Sequence, residues 1–79
     1  MKDAWLKCKV EKGMFSHEVV VKLRAKDGTA VAYLVPRTAA KKDRVLVRVR
    51  KQRGTQMAIL PTPEPFNPIP VREEDLVPV

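Results

Sequence analysis

The sequence predicts an all-β protein, a small antiparallel barrel of five or six strands. Three observations support this fold class. Apolar and polar residues alternate along several segments, which is the pattern of half-buried strands. Valine, a β-branched residue that favours strands, is prominent in those segments. Short turns separate most of them, as in an antiparallel meander whose edges are removed by closure into a barrel.

The first half of the chain predicts three strands. Residues 4–10 alternate, with Leu6 on the face opposite to Trp5, and residues 17–26 alternate again. Residues 29–35 form a third β-prone run. The intervening Asp27-Gly28 pair predicts a β-hairpin with a type I′ turn, in which both central residues have positive φ.

The second half predicts two further strands and a closing segment. Residues 37–43 are predicted to form a basic loop, in which residues 38–40 can make one helical turn. Two alternating runs follow on either side of a tight glycine turn, and they predict strands at 44–51 and 55–60. With 79 residues, the chain has room for one domain, spanning residues 1–79.

A proline-rich connection precedes the C-terminus. Residues 61–70 contain five prolines, and proline fixes φ and lacks a backbone donor, so this segment is predicted to be extended rather than a central strand. Residues 71–79 are predicted to add a turn and a short closing strand.

The order of these parts resembles that of the SH3-like small barrels. The common features are a first strand, a longer loop at 11–16, a three-strand meander, a short turn and a last edge strand. The resemblance implies a closed barrel with a long proline-rich connection. An OB-like barrel is the alternative, although no helix fits between the third and fourth predicted strands.

Cysteine usage and hydropathy suggest a cytoplasmic protein. Cys8 is the only cysteine, so no internal disulfide can form. Small domains without disulfides are typical of reducing compartments. No secretory signal is recognisable. No apolar run approaches the roughly 20 residues that span a bilayer, so no membrane partner is expected.

Catalytic signals are weak throughout the sequence. One histidine and one cysteine cannot build a zinc site from Cys and His ligands. Ser16, His17 and Glu18 are adjacent, and neighbours on a strand point to opposite faces, which precludes a catalytic relay. The sequence therefore predicts a noncatalytic binding module without a cofactor or a metal.

The charge distribution favours an anionic partner. The net charge is +7, and residues 1–60 contain fifteen of the sixteen Lys and Arg residues against five of the nine acidic residues. Such a field attracts anions, although a net charge away from zero also simply maintains solubility.

The leading functional hypothesis is weak electrostatic binding of RNA or DNA through a basic sheet face. In a meander, the second and fourth predicted strands flank the third, which places their outward cations on one face. Phosphates along a nucleic-acid backbone match such a stripe, and Trp5 is a candidate for base stacking or, alternatively, a plug at the barrel end. The predicted nucleic-acid-binding residues are Lys22, Arg24, Lys26, Arg44, Arg48, Arg50 and Trp5.

The alternative hypothesis is a protein-interaction or accessory subunit. Met14 and Phe15 lie in the first long loop, where exposed apolar side chains contact a partner or cover the core. An open sheet edge is a second route, because an extended peptide can add to it as a strand.

Overall fold

A computed structural model describes residues 2–62 and 68–79. In those residues the chain forms antiparallel strands and two short 3₁₀ turns, with no α-helix. The 3₁₀ turns are Arg37–Ala39 and Glu73–Asp75. The strands are β1 (Lys2–Lys7), β2 (Lys9–Lys12), β3 (Glu18–Arg24), β4 (Ala30–Pro36), β5 (Ala40–Lys41), β6 (Arg44–Gln52), β7 (Thr55–Ile59), β8 (Ile69–Val71) and β9 (Leu76–Pro78). The predicted all-β class is confirmed.

The strands belong to two antiparallel sheets. The larger sheet has the order β8-β7-β6-β1-β9, with β5 also paired to β6. The smaller sheet has the order β2-β3-β4. Both sheets contribute to one hydrophobic cluster, in which Leu6 and Val47 of the larger sheet and Val21 of the smaller sheet are almost completely buried. The two sheets therefore pack on each other through a shared core.

The predicted barrel is not formed by the described residues, because neither of these sheets closes on itself. The meander also breaks at its centre. β4 pairs with β3, whereas β6 pairs with β1, β5 and β7. The segment between β4 and β6 makes a 3₁₀ turn and the short strand β5, and this connection carries the chain from the smaller sheet to the larger one.

The first predicted strand is divided between the sheets. β1 ends at Lys7 and pairs with β6, and β2 begins at Lys9 and pairs with β3. Cys8 lies at the crossing, where its backbone N–H donates to the carbonyl oxygen of Asp43 at 3.0 Å. The alternating pattern continues through Cys8, so periodicity alone did not reveal the change of sheet.

The predicted hairpin between β3 and β4 is present, with a different turn. The N–H of Gly28 donates to the carbonyl of Ala25, and the N–H of Ala25 donates to the carbonyl of Thr29. Gly28 has φ +91, whereas Asp27 does not have positive φ. This is the three-residue hairpin loop, in which a type I turn precedes a left-handed glycine. The type I′ turn instead joins β6 to β7, where Arg53 and Gly54 have φ 51 and 80.

The C-terminal segment confirms the predicted turn and closing strand. Glu73–Asp75 forms the turn, and β9 pairs with β1. The proline-rich connection ends in β8, an edge strand that pairs with β7 and tolerates Pro70 because one of its edges needs no donor. Residues 63–67 of the predicted connection lie outside the described residues.

Candidate nucleic-acid interface

The structure divides the predicted basic face between the two sheets. Lys22 and Arg24 are on β3 in the smaller sheet, and Lys26 follows the end of that strand. Arg44, Arg48 and Arg50 are on β6 in the larger sheet. The prediction that these six cations share one face is therefore wrong, because it depended on β4 pairing with both β3 and β6. The shared core separates the outward sides of the two sheets.

Cations on the smaller sheet are engaged by neighbouring groups. Lys22 lies 3.1 Å from a carboxylate oxygen of Glu11, and Lys9 lies 3.5 Å from the other oxygen. These two lysines hold the pKa of Glu11 below its usual value, through the hydrogen bond and charge of Lys22 above all. Arg24 donates to the carbonyl oxygen of Gly28 at 3.0 Å. Glu11 therefore offsets one positive charge on this face, through ion pairs that are exposed and weak.

Strand pairing places Trp5 on the outward side of the larger sheet. Residues opposite each other in a ladder lie on the same face. Ala4 is paired with Val47 and both are buried, so the next pair, Trp5 and Leu46, faces outward. On its other side Trp5 is paired with Val77 of β9. Trp5 is therefore part of a sheet face and not a plug at the end of a barrel.

Five cations lie on the same side of the sheet as this tryptophan. Lys7 and Lys41 are both paired with Arg44, and Arg48 and Arg50 follow at alternate positions of β6. The face also carries the half-buried apolar residues Leu46, Met57, Ile59 and Val77. We call this surface the Trp5 face, defined by Trp5, Lys7, Lys41, Arg44, Leu46, Arg48, Arg50, Met57, Ile59 and Val77.

Two of the cations lie over the indole ring. The Nζ atom of Lys41 is 5.3 Å from the ring centroid, and the guanidinium carbon of Arg44 is 6.0 Å from it. Both distances are within the range of cation–π attraction, worth about 0.5–1 kcal/mol at an exposed site. Stacking of a nucleic-acid base on an aromatic side chain is worth about 1–3 kcal/mol, so a base can displace these cations from the ring.

Only weak ion pairs oppose the cations of the Trp5 face. A carboxylate oxygen of Asp3 is 3.8 Å from Arg48, and one of Asp43 is 3.3 Å from Arg44. All four side chains are at least 40% exposed. Exposed pairs of this kind contribute about 0–1 kcal/mol, so a phosphate can compete for both arginines. Within the described residues, Lys7 and Arg50 have no ion-pair partner.

An open pocket of about 480 Å³ adjoins the Trp5 face. β5 and β7 pair with the same edge of β6. β5 pairs with β6 as far as Val45, and β7 pairs with it from Arg48 onward. Between them, Leu46 and Val47 have no ladder partner on this edge of β6 in the described part of the chain, although both pair with β1 on the other edge. The pocket opens at this gap, and its walls include Ala39, Ile59 and Pro61, with Asp3 and Arg48 also lining it. It thus combines apolar walls with one acceptor and one donor side chain.

The residues of the alternative site are on the surface. Met14 is 86% exposed and Phe15 is 57% exposed, so Phe15 is not a lid over the core. Its ring stacks on the imidazole of His17 with 5.8 Å between centroids.

Sequence reasoning omitted Lys7 and Lys41 from the site. Lys7 is two residues from Trp5 in the alternating segment and therefore lies on the same outward face. The sequence pattern was sufficient to predict this position. Lys41 was assigned to a loop, and it reaches Trp5 because the two-residue strand β5 pairs with β6. No sequence signal identifies so short a strand.

Comparisons with known protein families, curated proteins and solved structures found no match to this chain. The SH3-like and OB-like alternatives therefore stay predictions. Among the described residues, no helix has the length and apolar character required to cross a membrane.

Proposed function

We propose that this protein binds single-stranded RNA or DNA through the Trp5 face. The observation that carries the proposal is the position of Trp5 on a sheet face, beneath Lys41 and Arg44 and next to the positions of Lys7 and Arg48. Aromatic side chains that stack bases, set among cations that follow the phosphate backbone, are the features of surfaces that bind single strands. The neighbouring pocket supplies apolar walls against which a second base can lie.

Single strands fit this surface better than duplexes do. A base can stack on Trp5 only when it is not enclosed in a base-paired helix. The cations then position the strand through its phosphates and contribute little sequence preference.

Paired charge reversals on the two sheets test this proposal. Arg48→Glu/Arg50→Glu alters the Trp5 face, and Lys22→Glu/Arg24→Glu makes the same change in net charge on the smaller sheet. We expect the first variant to lose at least about tenfold in affinity for a short single strand, and the second to lose much less. Each phosphate contact to a single strand contributes about −0.7 to the slope of log affinity against log salt. The slope should therefore be about −3 to −4 in the unmodified protein and shallower by about 1.4 in the first variant.

The intrinsic fluorescence of Trp5, the sole tryptophan, locates the bound base. Quenching by oligonucleotides should saturate at the same concentration as binding measured by anisotropy. Trp5→Leu should weaken binding by about 1–3 kcal/mol, the value of one stacked base, and Trp5→Tyr should retain most of it. Equal losses from both paired reversals, or binding without quenching, would contradict the assignment to the Trp5 face.

A second candidate function is recruitment of an extended peptide at β4. This strand has seven residues without a charged side chain, and it pairs only with β3 in the described residues. Leu34 on it is 42% exposed. Uncharged edge strands of this length are templates for strand addition. Peptide addition of this kind depends little on salt, which distinguishes it from phosphate binding.

A further inference from the structure

A small polar pocket of about 190 Å³ lies away from Trp5, where the turn after β3 meets the ends of the β6–β7 hairpin and of β8. Its walls include Lys26, Lys51, Gln56, Arg72 and Glu73. The three cations come from three separate parts of the chain. None of the proposed nucleic-acid contacts on the Trp5 face belongs to this pocket.

Backbone hydrogen bonds hold the residues of this pocket close to one another. The N–H of Lys26 donates to the carbonyl oxygen of Pro70 at 2.8 Å, which joins the β3–β4 turn to β8. Lys51 and Gln56 are opposite each other in the β6–β7 ladder, and Gln56 is opposite Val71 in the β7–β8 ladder. The cations therefore converge because the folded backbone brings their strands together.

Positive charge exceeds negative charge around the pocket. Arg72 forms ion pairs with two nearby carboxylates, that of Glu74 at 3.4 Å and that of Asp75 at 3.2 Å. Among the described residues, Lys26 and Lys51 make no ion pair. Glu73 is the one acidic residue of the pocket wall. Like charges held near one another repel, and a bound anion relieves that repulsion.

Gln56 supplies an independent observation. Its side-chain oxygen is shielded from solvent and accepts no hydrogen bond in the described structure. A buried polar atom without a partner is unusual in folded proteins. The NH₂ group of the same amide is a double donor, and Gln56 lines the pocket. The two ammonium groups and this NH₂ group are all hydrogen-bond donors.

We propose that this pocket binds a phosphate group. A phosphate monoester carries close to two negative charges near pH 7 and has three strong acceptor oxygens, which match the two lysines and the amide of Gln56. The shared chemistry admits two sources, namely free phosphate and the terminal phosphate of a nucleic-acid strand. Only the second source depends on the proposed function of the Trp5 face.

Titration of the ¹⁵N-labelled full chain with inorganic phosphate tests the site. Ionic strength is held constant with sodium chloride, and the side-chain amide of Gln56 is followed with the backbone amides of Lys26 and Lys51. We expect saturable shifts concentrated at these residues. Lys51→Gln should weaken phosphate binding at least about tenfold, and Lys9→Gln, a matched change on the smaller sheet, should leave it unchanged. Shifts that spread evenly over the basic surface, or that chloride reproduces, would overturn the proposal.

A second arm identifies the source of the phosphate. If the source is a strand terminus, a 5′-phosphorylated oligonucleotide should bind more tightly than its 5′-hydroxyl counterpart, and Lys51→Gln should abolish the difference. Equal binding of the two oligonucleotides, with saturable shifts from inorganic phosphate, assigns the pocket to free phosphate. Arg48→Glu/Arg50→Glu should leave the phosphate-induced shift of Gln56 intact in either case. The experiments can therefore refute the phosphate site without refuting nucleic-acid binding at the Trp5 face, and the reverse.

Discussion

Cys8 shows how the position of one residue sets its chemistry. It is half-buried at the crossing from β1 to β2. Burial, with a smaller contribution from the negative charge of Asp43, raises the pKa of this thiol from 9.0 to about 11. The thiolate is the nucleophilic form of cysteine. The local environment therefore makes Cys8 a weak nucleophile.

We expect Cys8 to react slowly with thiol reagents while the protein is folded. At pH 8, a pKa of about 11 in place of 9.0 lowers the thiolate fraction about 100-fold. Below pH 9 both folded and unfolded states keep the proton, and between pH 9 and 11 the unfolded state releases it first. The contribution of this group to the free energy of unfolding is thus lost as pH rises through that window. Labelling rates of native and denatured protein measure the effect, and equal rates would contradict it.

The two hairpin turns show what governs an individual element. Both turns contain a glycine that the sequence identified, but the assignment of type I′ to Asp27-Gly28 was wrong. The type of a turn follows from the number of residues left between the last paired positions. That number depends on pairing along the whole of β3 and β4, which continues beyond Arg24 opposite Ala30 to the hydrogen bond between Ala25 and Thr29. A dipeptide signal therefore predicts that a hairpin is present more reliably than it predicts the loop length.

Arg53 gives a prediction for the β6–β7 turn. Its φ of 51 lies in the left-handed region, which costs an ordinary L-residue roughly 1–2 kcal/mol. Asparagine tolerates this conformation, and Asn-Gly is the preferred type I′ pair. Arg53→Asn should raise the free energy of unfolding by up to about 1 kcal/mol, and Arg53→Val should lower it. Urea denaturation measures both. An unchanged or lower stability of the asparagine variant would show that the turn conformation is not limiting.

At the scale of the whole molecule, inward-facing residues were predictable and their partners were not. The alternating segments 4–10, 17–26 and 44–51 contain the core residues Leu6, Val21 and Val47, because burial on one side of a strand imposes a period of two. The pairing of β1 with β6 joins segments about 40 residues apart, and no local pattern encodes such a contact. The same limitation merged the cations of two sheets into one predicted face. A site that is predicted from neighbouring strands is therefore wrong wherever the predicted strand order is wrong.

The shared core predicts that both sheets unfold together. Leu6 in β1 and Leu23 in β3 are both buried in the same hydrophobic cluster. Leu6→Ala and Leu23→Ala should each lower the free energy of unfolding by about 2–5 kcal/mol, through lost burial and the cavity left behind. Trp5 fluorescence reports on the larger sheet, and far-UV circular dichroism reports on both sheets. Because one core joins them, Leu23→Ala in the smaller sheet should shift the transitions detected by both probes to the same denaturant concentration. If the fluorescence transition stayed in place while the dichroism transition moved, the sheets would unfold as separate units.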